Sequence, residues 1–379
     1  MVLLACVGIA QIILGIGLLV AQDTTASSTY DWNLPPGFPL PRVPEDNLMT
    51  TEKVDLGRHL FYDPRLSGNG TQSCSSCHLQ ELAFSDGRSL SIGSTGEQTP
   101  RNSMSLTNVA YNATLTWAHP QLLTIERQVV IPMFGEFPVE LGITGNDEVV
   151  LARFREDEQY LVLFTAAFPD EAEPVTFHNM TLALASFVRA MISGNSPYDQ
   201  FVYRGDRTAL SDSALRGMNL FLGETLECHH CHGGFNFSAS TVHTNTTFFE
   251  DAFFNTGLYN IGGTGAYPSN NTGVFAFTQN PEDMGKFRPP TLRNIALTAP
   301  YMHDGSLATL EDVLDFYERG GRLIEEEPYA GDGAENPYQS GFVPGFDLTV
   351  QEREDMLAFL NSLTDTNFIA DPRFSNPFP

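Results

Sequence analysis

Two short strings carry most of the chemistry available to this chain: Cys74-Ser75-Ser76-Cys77-His78 and Cys228-His229-His230-Cys231-His232. Each is a C-x-x-C-H, in which two thiols form thioethers to haem vinyl groups and the adjacent imidazole ligates iron. Together they use four of the five cysteines. A dithiol redox site or half a zinc site also begins with C-x-x-C, and one zinc ion could draw on both motifs. Neither alternative explains a histidine directly after the second cysteine in both copies. The spacing therefore predicts two covalently attached c-type haems. Cys74, Cys77, Cys228 and Cys231 are the attachment points, and His78 and His232 the iron ligands. Such a chain moves electrons; what else it does depends on the opposite face of each iron. His229 and His230 lie inside the second attachment loop and read as exposed or as neighbours of the haem.

The elements that must hold these strings are mostly helical. Residues 211–227 read as a helix that delivers the second motif, with Ser211 as N-cap and Leu215, Met218, Leu220 and Leu222 apolar. Residues 309–317 form another, capped by Thr309 and ended by Gly320-Gly321. A late helix covers 352–363. In the first half, 119–130, 147–168 and 176–192 have helical patterning, and Pro132 stops or kinks the first. Residues 32–47 read as a proline-rich extended arm, 133–145 as a Gly/Pro loop and 199–207 as a junction. Leu56-Gly57-Arg58-His59-Leu60-Phe61 before the first motif is echoed by Arg216-Gly217-Met218-Asn219-Leu220-Phe221 before the second. The expected fold is mainly α: two cytochrome c-like haem domains with long loops, at 51–204 and 205–379, after an arm at 27–50.

The 379 residues, 42% hydrophobic, are enough for two cores. The net charge of −26, from 46 acidic and 20 basic residues, argues against nucleic acid as a partner. It suits a basic or locally neutral protein surface, or serves solubility alone. Residues 1–21 carry no charge, so 1–26 read as a signal peptide or N-terminal membrane anchor, although no basic residues precede the apolar run. Cys6 reads as a passive member of that run. Covalent haem attachment normally takes place outside the cytoplasm, so both features point to the periplasm or another extracytoplasmic compartment. Triplets such as Asn112-Ala113-Thr114 signify glycosylation only in a eukaryotic secretory route.

Over residues 54–363 the chain resembles the bacterial di-haem cytochrome c peroxidases, and within them the MauG- and MbnH-like branch. The resemblance rests on both haem motifs and on Leu60-Phe61-Tyr62-Asp63-Pro64-Arg65-Leu66-Ser67, Thr99-Pro100-Arg101-Asn102, Asn108-Val109-Ala110-Tyr111-Asn112 and Pro138-Val139-Glu140-Leu141-Gly142. Its longest block is Phe287-Arg288-Pro289-Pro290-Thr291-Leu292-Arg293-Asn294-Ile295, continuing through Ala299-Pro300-Tyr301-Met302-His303-Asp304-Gly305. It implies that the first haem, at 51–204, reacts with peroxide and that the second, at 205–379, transfers electrons. Typical peroxidases close the first iron with a histidine before Pro-Arg-Asn. Residues 91–97 contain none, and Ser94 falls about where it would stand. This departure implies an iron open to peroxide without reductive activation. Cleaving peroxide needs a group that takes a proton from one oxygen and returns it to the other. Glu140 resembles the family's distal acid–base glutamate, and an apolar pocket would raise its pKa. Gln128 resembles the distal glutamine and Pro132 the proline that limits access to the iron; Glu136 is the nearby competitor. At the second haem, Tyr317 stands where peroxidases have a ligating methionine, as in the MauG-like branch. A tyrosinate favours a more oxidised iron than a thioether does. Met302 is the alternative ligand. Trp117 resembles the aromatic residue between the haems. Asn102, Thr298 and Pro300 resemble the interdomain calcium-binding set, whose oxygens suit a hard cation.

The resemblance implies a peroxide-dependent di-haem oxidoreductase that forms a high-valent two-haem state and oxidises a partner protein, with tryptophan as a candidate target. The loop at 133–142 looks most like the MbnH type. The runner-up is a peroxidase that reduces hydrogen peroxide to water with electrons from a small cytochrome or copper protein. A non-enzymatic di-haem electron carrier is the third reading, opposed by Glu140 and the missing histidine. The expected partners are hydrogen peroxide and a secreted protein substrate or small redox protein, in a monomer or homodimer.

Overall fold

In the computed structural model, residues 30–248 and 252–378 are described. The leader at 1–26 lies outside them. No helix among the described residues is long and apolar enough to cross a membrane. The helices are α1 (Thr51–Tyr62), α2 (Ile125–Phe134), α3 (Asp147–Arg155), α4 (Glu158–Ala167), α5 (Phe177–Arg189), α6 (Pro197–Tyr203), α7 (Asp212–Phe221), α8 (Cys228–His232), α9 (Phe275–Thr278), α10 (Leu310–Arg319) and α11 (Val350–Asn361). Long loops join them. One two-residue antiparallel pair, Leu323–Ile324 with Gly331–Asp332, is the described sheet.

Several boundaries differ from expectation. The helix read at 119–130 begins only at Ile125, because Thr124 caps it. Pro132 does not stop that helix: it sits in the last turn, and Gly135 ends it. The stretch 147–168 is two helices, broken where Asp157 turns its side chain onto the Gln159 and Tyr160 amides. The helix expected at 211–227 starts at the Ser211 cap but ends at Phe221. Glu227 then takes a left-handed conformation and the second haem motif makes its own short helix. The junction at 199–207 falls largely within α6, where Asp199 is buried. The caps at Thr309 and Gly320 stand as read.

Two helix crossings frame the molecule, α1 on α5 and α7 on α11. A glycine sits at each. A Cβ on Gly57 would lie 2.0 Å from the Ala183 carbonyl oxygen, and one on Gly217 would lie 1.9 Å from that of Asp355. Only hydrogen fits at either point. The repeated Gly-x-x-Leu-Phe signature is therefore a packing requirement, because it lets two backbones touch ahead of each haem motif. One hydrophobic cluster gathers Leu56, Leu60, Phe61, Phe154 and Phe187; a second gathers Phe221, Phe237, Leu314, Met356 and Phe359. A third, with Trp117, Tyr267, Phe287 and Phe316, lies against Met302 and Tyr317.

The halves interlock. Phe368 and Phe374, from the end of the chain, pack into the first cluster, and the Phe374 carbonyl accepts from the Tyr62 hydroxyl at 2.7 Å. The arm ties both sides. Asn47 donates to the Leu182 carbonyl, while the Leu40 carbonyl accepts from the Thr244 amide. Between the halves runs a buried polar seam. Asn108 Oδ1 accepts from the Ser193 amide and Asn294 Oδ1 from the Asp365 amide, each at 2.7 Å. Asn294 also donates to Ser193 Oγ at 3.1 Å. Arg293 and Asp199, both 1% exposed, form an ion pair at 2.9 Å.

Candidate functional site

At the first motif, Cys74–Ser76 makes one short helical turn, and the chain then bends back through Ala83 and Phe84. Phe84 takes a left-handed conformation, φ 62°, a cost of about 1–3 kcal/mol for a bulky residue. That bend brings its carbonyl to 2.8 Å from His78 Nδ1. A carbonyl only accepts, so Nδ1 carries the proton and the Nε2 lone pair is left for a metal. The second motif repeats the device: Phe237, φ 49°, offers its carbonyl to His232 Nδ1 at 3.2 Å. Burial lowers the pKa of both imidazoles, His232 to about 4, which keeps them neutral. It also pushes the thiols of Cys74, Cys228 and Cys231 up to about 12 and Cys77 to about 11. Without a bound group, these thiols are therefore protonated at neutral pH.

Glu140 and Glu136 lie in different surroundings. Glu136 is exposed; Glu140 is half-buried, and desolvation raises its pKa. Its charge is felt by both Cys74 and Cys77, and its carboxylate has no hydrogen-bond partner among the described residues. Gln128, on α2, has a buried Oε1 that is likewise unpartnered. Pro132, one turn further on, accepts the Leu141 amide through its carbonyl at 2.9 Å and so ties α2 to the Glu140 loop. The Ser94 amide donates to the Glu140 carbonyl at 2.7 Å. Ser94 itself lines a surface cleft with Asn69, Glu97, Glu136, Phe137 and Val139.

The second motif opens on a cavity whose empty space, mouth included, is about 1650 Å³. Its walls include Cys228, Cys231, His232, Tyr317, Met302, Trp117 and Arg288. The Tyr317 hydroxyl has no partner among the described residues, and burial raises its pKa. Met302 lines the same wall, so the cavity holds both candidate ligands.

The residues fit haem at both places. Each has two thiols and an imidazole whose Nδ1 faces a backbone carbonyl. The second cavity adds Arg288, whose Nη1 is buried without a partner among the described residues and whose burial lowers its pKa to about 10. A propionate carboxylate would satisfy that nitrogen. His303, also buried, stacks on Phe287 at 3.6 Å, and its Nε2 has no partner among the described residues. Sequence reasoning gave neither residue a role. Both stand in the quoted blocks, but nothing in their type marks them as facing a cavity.

Trp117 lies where the motifs approach. Ser103 Oγ donates to the Cys77 carbonyl at 2.7 Å, and Trp117 Nε1 donates to the Asn102 carbonyl at 2.8 Å. Two hydrogen bonds and one peptide link thus join the first motif to an indole on the wall of the second cavity. Asn102, Thr298 and Pro300 line that cavity too. Asn102 Nδ2 donates to the Arg88 carbonyl and Thr298 Oγ1 to that of Ile295.

Residues 51–208 match the family model described as di-haem cytochrome c peroxidase. A cytochrome-c peroxidase of Denitromonas iodatirespirans is 34% identical, over 93% of each chain. This chain belongs to the di-haem cytochrome c peroxidase (MauG) family. As a member it is a haem-dependent oxidoreductase with two haems, acting with peroxide and a redox protein or substrate partner. The methylamine utilization protein MauG of Methylorubrum extorquens is 32% identical, over 90% of this chain and 86% of its own. The family's solved structures include a MauG-like protein associated with microbial copper homeostasis. It superposes with a TM-score of 0.90 at 53% identity, covering 92% of this chain and all of that one. The di-haem peroxidase BthA of Burkholderia thailandensis, at 19% identity and a TM-score of 0.62, shares the fold.

Proposed function

We propose that this protein is a MauG-like enzyme that uses peroxide to oxidise an exported partner protein. The observation that carries the reading is Glu140: a half-buried carboxylate with a raised pKa and no partner among the described residues, whose charge reaches both thiols of the first motif. Bound haem supplies the centre that accepts peroxide and stores oxidising equivalents. Glu140 removes the proton from the nearer peroxide oxygen and returns one to the departing oxygen. Gln128 Oε1 accepts the remaining O–H. Two electrons from the partner and two protons convert one peroxide to two waters. Absence of histidine from 91–97 leaves the first site open, and Tyr317 closes the second. Trp117 carries charge between the two sites. Asn102, Thr298 and Pro300 hold calcium at the meeting of the halves. Location outside the cytoplasm follows from covalent haem attachment and the apolar leader.

The copper-homeostasis association of the 53% identical structure favours an exported copper-binding protein as the partner. Relatives named cytochrome-c peroxidases support a second reading, in which a small cytochrome or copper protein is the reductant. Mass spectrometry of the partner after peroxide treatment separates them. Stable oxygen added to a tryptophan supports partner modification; steady turnover of reduced cytochrome with an unmodified partner contradicts it.

A further inference from the structure

We infer that Glu224, His229 and His230 form a surface site for a divalent transition-metal ion of the zinc class. One donor atom from each residue can be chosen so that all lie within 4.8 Å of one another. Glu224 places one carboxylate oxygen 3.5 Å from His229 Nε2 and the other 3.6 Å from His230 Nε2. Zinc with donors at about 2.1 Å spaces neighbouring donors about 3.4 Å apart in a tetrahedron, so the carboxylate-to-imidazole gaps are near those of a ligand shell. Glu227 places a carboxylate oxygen 2.7 Å from His230 Nε2, a hydrogen-bonding contact that must open before that nitrogen ligates an ion. Two imidazoles and carboxylates suit zinc and its neighbours better than calcium or magnesium.

The neighbours hold the rings in place. His229 and His230 lie 4.2 Å apart between centroids, and Phe342 stacks on His230 at 4.4 Å and 11°. The left-handed Glu227, φ 57°, ends the turn that returns its carboxylate to His230. Consecutive histidines between two haem-attaching cysteines have no part in thioether formation or iron ligation, and a shared external ion gives both one. A bound dication on this loop favours the reduced, less positive form of the second haem. That consequence rests on the two-haem reading; metal binding does not.

The test is calorimetric titration of untagged, chelator-treated di-haem protein with zinc chloride. The expected result is one equivalent bound, lost in His229→Gln/His230→Gln and weakened about 10-fold or more in Glu224→Gln, whose exposed side chain lies outside the Cys228–His232 attachment motif. Zinc should also raise the midpoint potential of the second haem in the parent protein but not in the double variant. Absence of zinc binding, or binding unchanged in all these variants, overturns the site. Binding with no shift in potential overturns the coupling to the haem. Reactivity toward peroxide is read separately, so the failure of one proposal is distinct from failure of the other.

Discussion

At Glu140, burial without a partner raises the pKa above its ordinary 4.5. A base acts in its ionised form, and that fraction grows with pH. The rate of reaction with peroxide should therefore rise with pH and level off above the raised pKa. Glu140→Gln should slow the reaction by roughly 10²–10⁴-fold and flatten this limb. Stopped-flow absorbance across pH checks both; a pH limb that survives in the variant assigns the proton to another group. Tyr317→Phe should change the second haem's low-spin spectrum, whereas Met302→Leu should not, and electron paramagnetic resonance reads the difference. Ser94 and Tyr317 were legible as departures from a known pattern, because a residue's type shows directly what it can ligate. Arg288, His303 and the Phe84 and Phe237 carbonyls were not legible. Their parts depend on where the backbone turns, and two phenylalanines in left-handed conformations leave no signature in composition or period.

The helices place these side chains, and the crossing glycines place the helices. Gly57→Ala and Gly217→Ala would each force a methyl into a carbonyl about 2 Å away. Each should cost roughly 1–3 kcal/mol, as overpacking in a closed crossing does. Thermal unfolding should show a lower Tm in both; unchanged melting would mean the crossings can open. The helical class and most caps were readable, since Ser211, Thr309 and Gly320 signal locally. The two breaks that were missed share a cause. Asp157 caps α4 in the middle of an apolar-periodic run, and Glu227 turns left-handed after α7. Neither residue interrupts a hydrophobic pattern. Pro132 lacks the amide that would bond the Gln128 carbonyl, yet α2 runs two residues past it, so the proline does not act as the stop it could have been.

At the scale of the whole molecule, the arm, the chain end and the buried seam hold the two haem sites in a fixed relation. Arg293→Met leaves Asp199 charged and buried, and should cost about 3–5 kcal/mol. Chemical denaturation of the di-haem protein measures it; a loss below about 1 kcal/mol would show that the seam is not what joins the halves. Sequence repetition suggested two similar units but gave no hint of Phe368 and Phe374 returning to the first cluster, since contacts across 300 residues leave no local trace. The central claim is that the two sites are unequal: the first open to peroxide, the second closed by Tyr317. One equivalent of peroxide added to the purified diferric protein, followed by rapid-scan absorbance, tests it most directly. The account predicts a prompt reaction without prior reduction and a long-lived state two equivalents more oxidised. No reaction, with both ferric haems low-spin, would contradict it.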